Sequence, residues 1–127
     1  MAEIEEAGYV NLRDAMEGNP RAWKYIELQT AIGTKITRRQ VGLAGSGATF
    51  EARENNGKTV VIKLVVNGGD AGMPTLPVTA ARSVIKDQDS DVAPGLSIES
   101  LSTSFTFQES ADQLTVFHKV QVPEVVV

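Results

Sequence analysis

The sequence contains no cysteine, a single histidine and few aromatic residues, which make up 6% of the chain. Without cysteine, a disulfide framework and a thiolate metal site are both excluded, so stability must come from packing or from oligomerisation. No stretch approaches the roughly 20 apolar residues of a membrane span, and residues 1–6 are acidic where a signal peptide would be basic and then apolar. These absences predict a protein made and used in a cytoplasm, or released by lysis, without a membrane partner.

The chain has the length and composition of one ordinary globular domain. Its 127 residues are 42% hydrophobic and 22% charged, with many valines and isoleucines. A domain of this size buries roughly two-thirds of the surface that its unfolded chain would expose, so one core is sufficient. We expect an N-terminal arm over residues 1–8 and a single β domain over residues 9–127.

Charge is distributed unevenly along the sequence, although the net charge is only −4. Residues 1–20 carry one base and five acids, residues 21–63 carry eight bases and three acids, and residues 64–127 carry three bases and eight acids. This pattern fits either complementary contacts between copies or charges scattered over solvated faces. It does not fit a nucleic-acid surface, because Arg38 and Arg39 are only a pair and no basic run carries interleaved aromatics.

The hydrophobic pattern is that of β-strands over most of the chain. A short helix is plausible within residues 9–17, before Gly18-Asn19-Pro20 ends it. From residue 23 the period is two, and residues 23–29 and 34–41 predict a first hairpin with Ile26 and Leu28 on one face. Residues 48–54 and 58–66 flank Asn55-Asn56-Gly57, which predicts a second hairpin because Asn and Gly accept positive φ.

The last third predicts a further hairpin, made by residues 102–108 and 113–122 with a polar turn between them. Between the second and third hairpins, residues 67–98 are punctuated by Gly and Pro and form a long irregular excursion in which only Val78–Lys86 could be a short element. Six strands in three hairpins imply an antiparallel β-sandwich or a small barrel.

Three motifs have residue types that could carry chemistry. The alternating carboxylates of Asp87, Asp89 and Asp91 begin like a calcium loop, but Val92 and Ile98 stand where the loop needs Gly and Glu. The glycines of residues 42–47 lack the order and the surroundings of a phosphate-binding loop. His118 is the only residue around which a nucleophile and base pair could be built, and alternation places it on the inward face of its strand. We therefore predict that the chain is not an enzyme. We also predict that it has no catalytic, cofactor-binding or metal-binding residues and binds no cofactor.

Trp23 and Tyr25 share one strand face and could form a stacking platform for a sugar. Aromatics at period two more often belong to a core or to a subunit contact, and the aromatic content is low for a carbohydrate-binding protein. A small-ligand or carbohydrate-binding β module is therefore the alternative from another functional class.

Two segments resemble small structural proteins of tailed bacteriophage virions. The first is YVNLRD at residues 9–14 followed by WKYIEL at residues 23–28, and the second is FTF at residues 105–107 with LTVFH at residues 114–118 and a final VPE. The resemblance covers roughly a third of the chain. It implies a virion protein, made in the host cytoplasm, that binds a major capsid or other virion protein as a decoration or cement subunit. A tail or baseplate subunit is the alternative that the same resemblance implies.

Under this interpretation the chain forms a homo-oligomer and contacts its partners through surfaces. The expected contacts fall on the N-terminal arm, the first hairpin, the loop of residues 68–77 and the apolar C-terminal tail. The candidate contact residues are Glu3, Ile4, Trp23, Tyr25, Arg38, Arg39, Met73, Leu76, Val125, Val126 and Val127.

Overall fold

The computed structural model describes residues 24–55 and 59–121, and within these ranges every regular element is a β-strand. The seven strands are β1 Tyr25–Gln29, β2 Lys35–Gln40, β3 Ala48–Phe50, β4 Thr59–Asn67, β5 Val78–Lys86, β6 Ser97–Phe107 and β7 Gln113–Gln121. The expected N-terminal arm, the short helix within residues 9–17 and the C-terminal tail lie outside the described residues.

The strands form two antiparallel sheets that pack face to face. Sheet A has the strand order β2-β1-β5-β6, and sheet B has the order β3-β4-β7. Ile26 and Leu28 of sheet A share one buried cluster with Ile62 and Leu64 of sheet B. The prediction of an antiparallel β-sandwich is confirmed, because each sheet contributes one apolar face to a common core.

The first two predicted hairpins are confirmed. Strand β1 pairs with β2, and Ile26 and Leu28 are fully buried as the alternation predicted. Strand β3 pairs with β4, and the bridge between Glu54 and Thr59 closes their connection, where Asn55 has a φ of 54°. The positive φ of Asn55 is the conformation for which Asn is suited, so the local sequence signal identified the turn correctly.

The prediction of the third hairpin is wrong, because its two strands do not pair with each other. Strands β6 and β7 are consecutive and joined by a polar turn, but β6 pairs with β5 in sheet A and β7 pairs with β4 in sheet B. The third hairpin is formed by β5 and β6 instead. The nine-residue β4 has only the three-residue β3 on its other side, so β7 supplies the full-length neighbour that its backbone groups need. Alternation identifies a strand, but it does not identify the strand's partner.

The predicted excursion of residues 67–98 is two loops on either side of β5. The possible element Val78–Lys86 is a strand with those bounds, and it lies between β1 and β6 in sheet A. The first loop, residues 68–77, is tied to the β6–β7 turn because Gly68 N donates to Asp112 O and Gly69 N donates to Ser110 O. The second loop, residues 87–96, lies against the outer face of sheet A, where Gly95 packs on Val84. Both loops therefore belong to the packed body of the chain.

The glycines between β2 and β3 carry the chain from one sheet to the other. Gly45 and Gly47 both have a φ of +79°, but a Cβ on Gly45 would meet nothing within 4 Å, whereas a Cβ on Gly47 would lie 2.5 Å from the carbonyl oxygen of Val65. The Gly47 carbonyl also accepts the Val65 N–H at 2.8 Å, so Gly47 holds this connection against β4. Glycine is required here because both φ and the close approach exclude a side chain.

We expect Gly47→Ala to destabilise the fold more than Gly45→Ala. Both variants carry the left-handed backbone strain of roughly 1–2 kcal/mol, since the two φ values are equal. Only Gly47→Ala adds a clash with the backbone of β4. Urea unfolding followed by circular dichroism measures the difference between the two variants. Equal losses of unfolding free energy would contradict the close approach of Gly47 to Val65.

Candidate functional site

The outer face of sheet A buries a charged residue where a sandwich usually exposes its polar side chains. Glu27 of β1 lies directly opposite Arg38 of β2, and its side chain is only 2% exposed. The Oε1 atom of Glu27 accepts from Arg38 Nη1 at 2.6 Å and lies 3.4 Å from Lys86 Nζ. The Gln29 amide donates to the Oε2 atom of Glu27. Both carboxylate oxygens are therefore satisfied, as burial of a charge requires.

The loop of residues 87–96 completes this arrangement. Arg38 Nε donates to Asp89 at 2.7 Å and Arg38 Nη1 donates to Asp91 at 2.8 Å, while Lys35 Nζ lies 3.3 Å from Asp91. Lys86 Nζ donates to the carbonyl oxygens of Ser90 and Asp91. We call these six side chains the charge cluster: Glu27, Lys35, Arg38, Lys86, Asp89 and Asp91. Three cations face three carboxylates, so the charge cluster is neutral as a whole.

The pKa values of the charge cluster follow from these contacts. Burial alone would lower the pKa of Arg38, but its hydrogen bonds to Asp91, Asp89 and Glu27 outweigh burial and raise the pKa above its usual value. The hydrogen bonds from Arg38 and Lys35 lower the pKa of Asp91. The ion pair between Arg38 and Asp91 therefore persists across the neutral pH range.

Two of the three alternating carboxylates of residues 87–91, Asp89 and Asp91, thus pair with basic side chains. Within residues 24–55 and 59–121, no group of three or more histidine, aspartate and glutamate residues is arranged to hold a metal ion. Asp89 and Asp91 remain 67% and 69% exposed, so this part of the loop is solvated on one side and bound to Arg38 on the other.

The charge cluster holds the second loop over the outer face of sheet A, so that Asp91 lies close to the β1–β2 turn. A cleft of about 310 Å³ is lined by residues of the β1–β2 turn, Gly33 and Thr34, and by Asp91 of the second loop. Ile32, which precedes Gly33, is 90% exposed, and Val92, which follows Asp91, is 94% exposed. Each of these two exposed side chains therefore belongs to a residue that adjoins, in sequence, a residue lining the cleft. We call Ile32, Val92 and this cleft the loop-tip surface.

Arg39 and the glycine loop form a second cleft, which is lined also by Asp70 and Asn67. The guanidinium of Arg39 donates to Thr37 Oγ1 at 2.9 Å, to Ser46 O at 2.7 Å and to Asp70 at 3.0 Å. The Asn67 N–H and, to a smaller extent, Arg39 lower the pKa of Asp70. Because the donors of Arg39 are engaged and a carboxylate lies beside them, this cleft has the chemistry of a structural junction and not of a phosphate site.

His118 is fully buried between the sheets, as the alternation of β7 predicted. Its Nδ1 atom lies 2.6 Å from Ser83 Oγ and its Nε2 atom lies 2.9 Å from Ser97 Oγ. A hydroxyl can donate or accept, so both nitrogens of a neutral imidazole are satisfied in either tautomer. The two ring nitrogens of His118 therefore join sheet B to two strands of sheet A, and neither contacts a carboxylate.

The candidate contact residues occupy different environments. Tyr25 is half-buried, and Met73 and Leu76 pack against the core cluster. The side chains of Arg38 and Arg39 are 8% and 12% exposed and are held by carboxylates of the same chain. Glu3, Ile4, Trp23, Val125, Val126 and Val127 lie outside the described residues. The sequence analysis did not include Ile32 and Val92 among the candidate contact residues, because a single apolar residue in a polar loop carries no periodic signal.

A scan against protein-family models, a search of curated proteins and a search of solved structures each found no match to this chain. In the described ranges, no helix has the length and apolar character needed to cross a membrane.

We expect Glu27→Gln to cost roughly 3–5 kcal/mol of unfolding free energy, because it leaves Lys86 and Arg38 buried without their shared carboxylate. The matched control is Glu54→Gln, which removes the exposed pair with Lys119, whose side chains are 48% and 49% exposed. That control should change stability by about 0–1 kcal/mol. Chemical denaturation measures both variants, and losses of similar size would contradict the burial of the Glu27 carboxylate between Arg38 and Lys86.

Stability should also fall as the pH is lowered past the ordinary pKa of histidine. Burial lowers the pKa of His118 in the folded state, and the nearby charge of Glu99 only partly offsets this. Between the folded and unfolded pKa values the unfolded chain binds more protons, so the stability present above about pH 6.5 is lost on acidification. We expect the unfolding free energy to decrease from about pH 7.5 to about pH 5.5, and this decrease to be much smaller in His118→Gln. A wild-type value that stays constant or rises would contradict the burial of His118.

Proposed function

We propose that this chain is a non-enzymatic structural subunit of a tailed-bacteriophage virion that binds the capsid shell as a decoration or cement protein. The observation that carries the proposal is the loop-tip surface, where Ile32 and Val92 are 90% and 94% exposed and the ion pairs of Asp91 join the second loop to the first hairpin. Exposed apolar side chains at fixed positions suit a surface that another protein covers.

The contacts that join the second loop to the first hairpin support a role in binding. The Asp91 carboxylate joins the second loop to Arg38 and Lys35 of the first hairpin, so Val92 is held beside the β1–β2 turn before any partner arrives. A preformed surface loses little conformational entropy on association. The binding free energy of many weak contacts on a repetitive shell then adds to the stability of the shell.

The chemistry of the polar groups supports the proposal from a second direction. His118 is held by two serine hydroxyls, and the buried carboxylate of Glu27 is held by a guanidinium, an ammonium and an amide. Groups fixed in this way serve packing and the linkage of the sheets. A catalytic base instead needs an open side towards its substrate.

We expect the double variant Ile32→Ser with Val92→Ser to bind empty capsids of the encoding phage at least roughly tenfold more weakly than the wild type. Burying each apolar side chain contributes about 1.5–3 kcal/mol, and each 1.4 kcal/mol is a factor of about ten. The matched control is Leu43→Ser, because Leu43 is 55% exposed in the β2–β3 loop, at the other end of the first hairpin. Co-sedimentation of the purified chain with capsids measures the affinity.

Two results would overturn this proposal. If the wild-type chain bound isolated tails or baseplates and not capsids, it would be a tail subunit, which is the alternative that the same resemblance implies. If it bound neither, or if Leu43→Ser weakened capsid binding as much as the double variant did, the loop-tip surface would not be the capsid contact.

A further inference from the structure

Arg82 of β5 is a half-buried cation on the outer face of sheet A, and it pairs with no carboxylate in the part of the chain that the structure describes. Its Nε atom donates to Gln29 Oε1 at 2.8 Å, and the guanidinium makes no other hydrogen bond to a described residue. Lys35, Arg38 and Lys86 on the same face each pair with a carboxylate. Arg82 therefore carries a positive charge that the charge cluster does not balance.

The contacts of Arg82 determine which of its donors remain available. The Gln29 amide donates to Glu27 through Nε2, so its oxygen has to face Arg82. A Cβ on Gly33 would lie only 2.6 Å from Arg82 Nη2, so the lack of a side chain at Gly33 makes room for the guanidinium. Because Nε is engaged, the two terminal nitrogens Nη1 and Nη2 are left to bind an acceptor. Their N–H groups form a planar pair of donors.

A hydroxyl group lies beside these two nitrogens. Ser100 of β6 is directly opposite Arg82 in the register of the two strands, and it is exposed. Residues opposite each other in an antiparallel pair have Cβ atoms about 4.5–5.5 Å apart on the same face, so the Ser100 hydroxyl can donate to the acceptor that Arg82 binds. Gln29 and Gly33, which contact Arg82, both line the cleft of the loop-tip surface. Arg82 and Ser100, which we call the arginine site, therefore border that surface.

The chemistry of the arginine site fits one carboxylate group. The planar pair of donors of an arginine matches the two oxygens of a carboxylate, and a single negative charge balances a single guanidinium. A nucleic acid would need several further cations, but Lys35 and Lys86 of the adjoining cleft are already paired with Asp91 and Glu27. Because Arg82 is half-buried, added salt would screen such a pair only weakly.

We propose that Arg82 and Ser100 bind the carboxylate of an aspartate or glutamate side chain on the protein that covers the loop-tip surface. This inference rests on the proposed function and adds a polar contact to the apolar contacts of Ile32 and Val92. Apolar burial supplies binding free energy without a preferred direction. A carboxylate bound by two parallel donors fixes the orientation of the partner, so the arginine site determines which protein binds and in which orientation.

Co-sedimentation of a series of Arg82 variants with empty capsids tests the proposal. Arg82→Gln removes the charge and should bind at least roughly tenfold more weakly than the wild type. Arg82→Glu places a like charge against the partner's carboxylate and should bind more weakly again by at least roughly tenfold. Arg82→Lys keeps the charge without the planar pair of donors, so its affinity should lie between those of the wild type and Arg82→Gln.

The matched controls are Lys63→Gln and Lys63→Glu, which remove or reverse a positive charge on β4 of sheet B. Lys63 lies 3.9 Å from Glu51, and both side chains are partly exposed. Neither control should change capsid binding, because Lys63 belongs to the other sheet and has a carboxylate of its own chain as partner.

Urea unfolding separates a contact residue from a residue that only maintains the fold. Arg82→Gln removes a half-buried charge that has no counter-ion, so it should unfold at no lower urea concentration than the wild type. Weak capsid binding together with a clearly lower unfolding midpoint would assign Arg82 to the fold and overturn the proposal. Equal weakening by Arg82→Gln and Arg82→Glu would also overturn it, because the ligand would then carry no negative charge.

The capsid measurements also separate this inference from the proposed function. If the wild type binds capsids and the Gln and Glu variants bind them equally well, this inference alone is overturned. If the wild type binds no capsids, the proposed function is overturned and this inference with it.

Discussion

The burial of the Glu27 carboxylate determines how the outer face of sheet A is built. A carboxylate that is 2% exposed must be surrounded by donors, and Arg38 and Lys86 supply them from the two neighbouring strands. Their positive charges then need further carboxylates, which Asp89 and Asp91 supply from the loop of residues 87–96. One buried charge thus fixes a loop more than fifty residues away in sequence. The exposed Val92 owes its position beside the β1–β2 turn to this chain of contacts.

The same contacts explain the uneven charge of the sequence. Basic residues of the middle block, Lys35, Arg38 and Arg39, pair with Asp89, Asp91 and Asp70 of the acidic last block within one chain. The sequence had suggested either contacts between copies or solvated faces. Pairing inside the chain costs less entropy than pairing between copies, because the sheets already hold the partners close to each other.

Local signals predicted the strands well and their long-range partners poorly. The alternation around Ile26 and Leu28 placed β1 and its buried face, and Asn55-Asn56-Gly57 placed the second hairpin, because both depend on neighbouring residues. The partner of β6 was predicted wrongly, because the polar turn at residues 109–112 is compatible with a hairpin and with a crossing between sheets. Arg38 could not be linked to Asp89 or Asp91 from the sequence, since their spacing has no period. The candidate site depended on such pairs and was largely missed.

The distribution of charge between the sandwich and the rest of the chain bears on how assembly would be driven. The described residues contain nine bases and ten acids, whereas residues 1–23 contain two bases and five acids. The sandwich is therefore nearly neutral, and Ile32 and Val92 are the most exposed of its large hydrophobic side chains. Contacts made by the sandwich should depend on buried apolar area and respond little to salt, because there is little net charge to screen. Any strong dependence of assembly on salt concentration would instead come from the acidic residues 1–23. Measuring assembly at several salt concentrations therefore separates the contribution of the sandwich from that of the segment that precedes it.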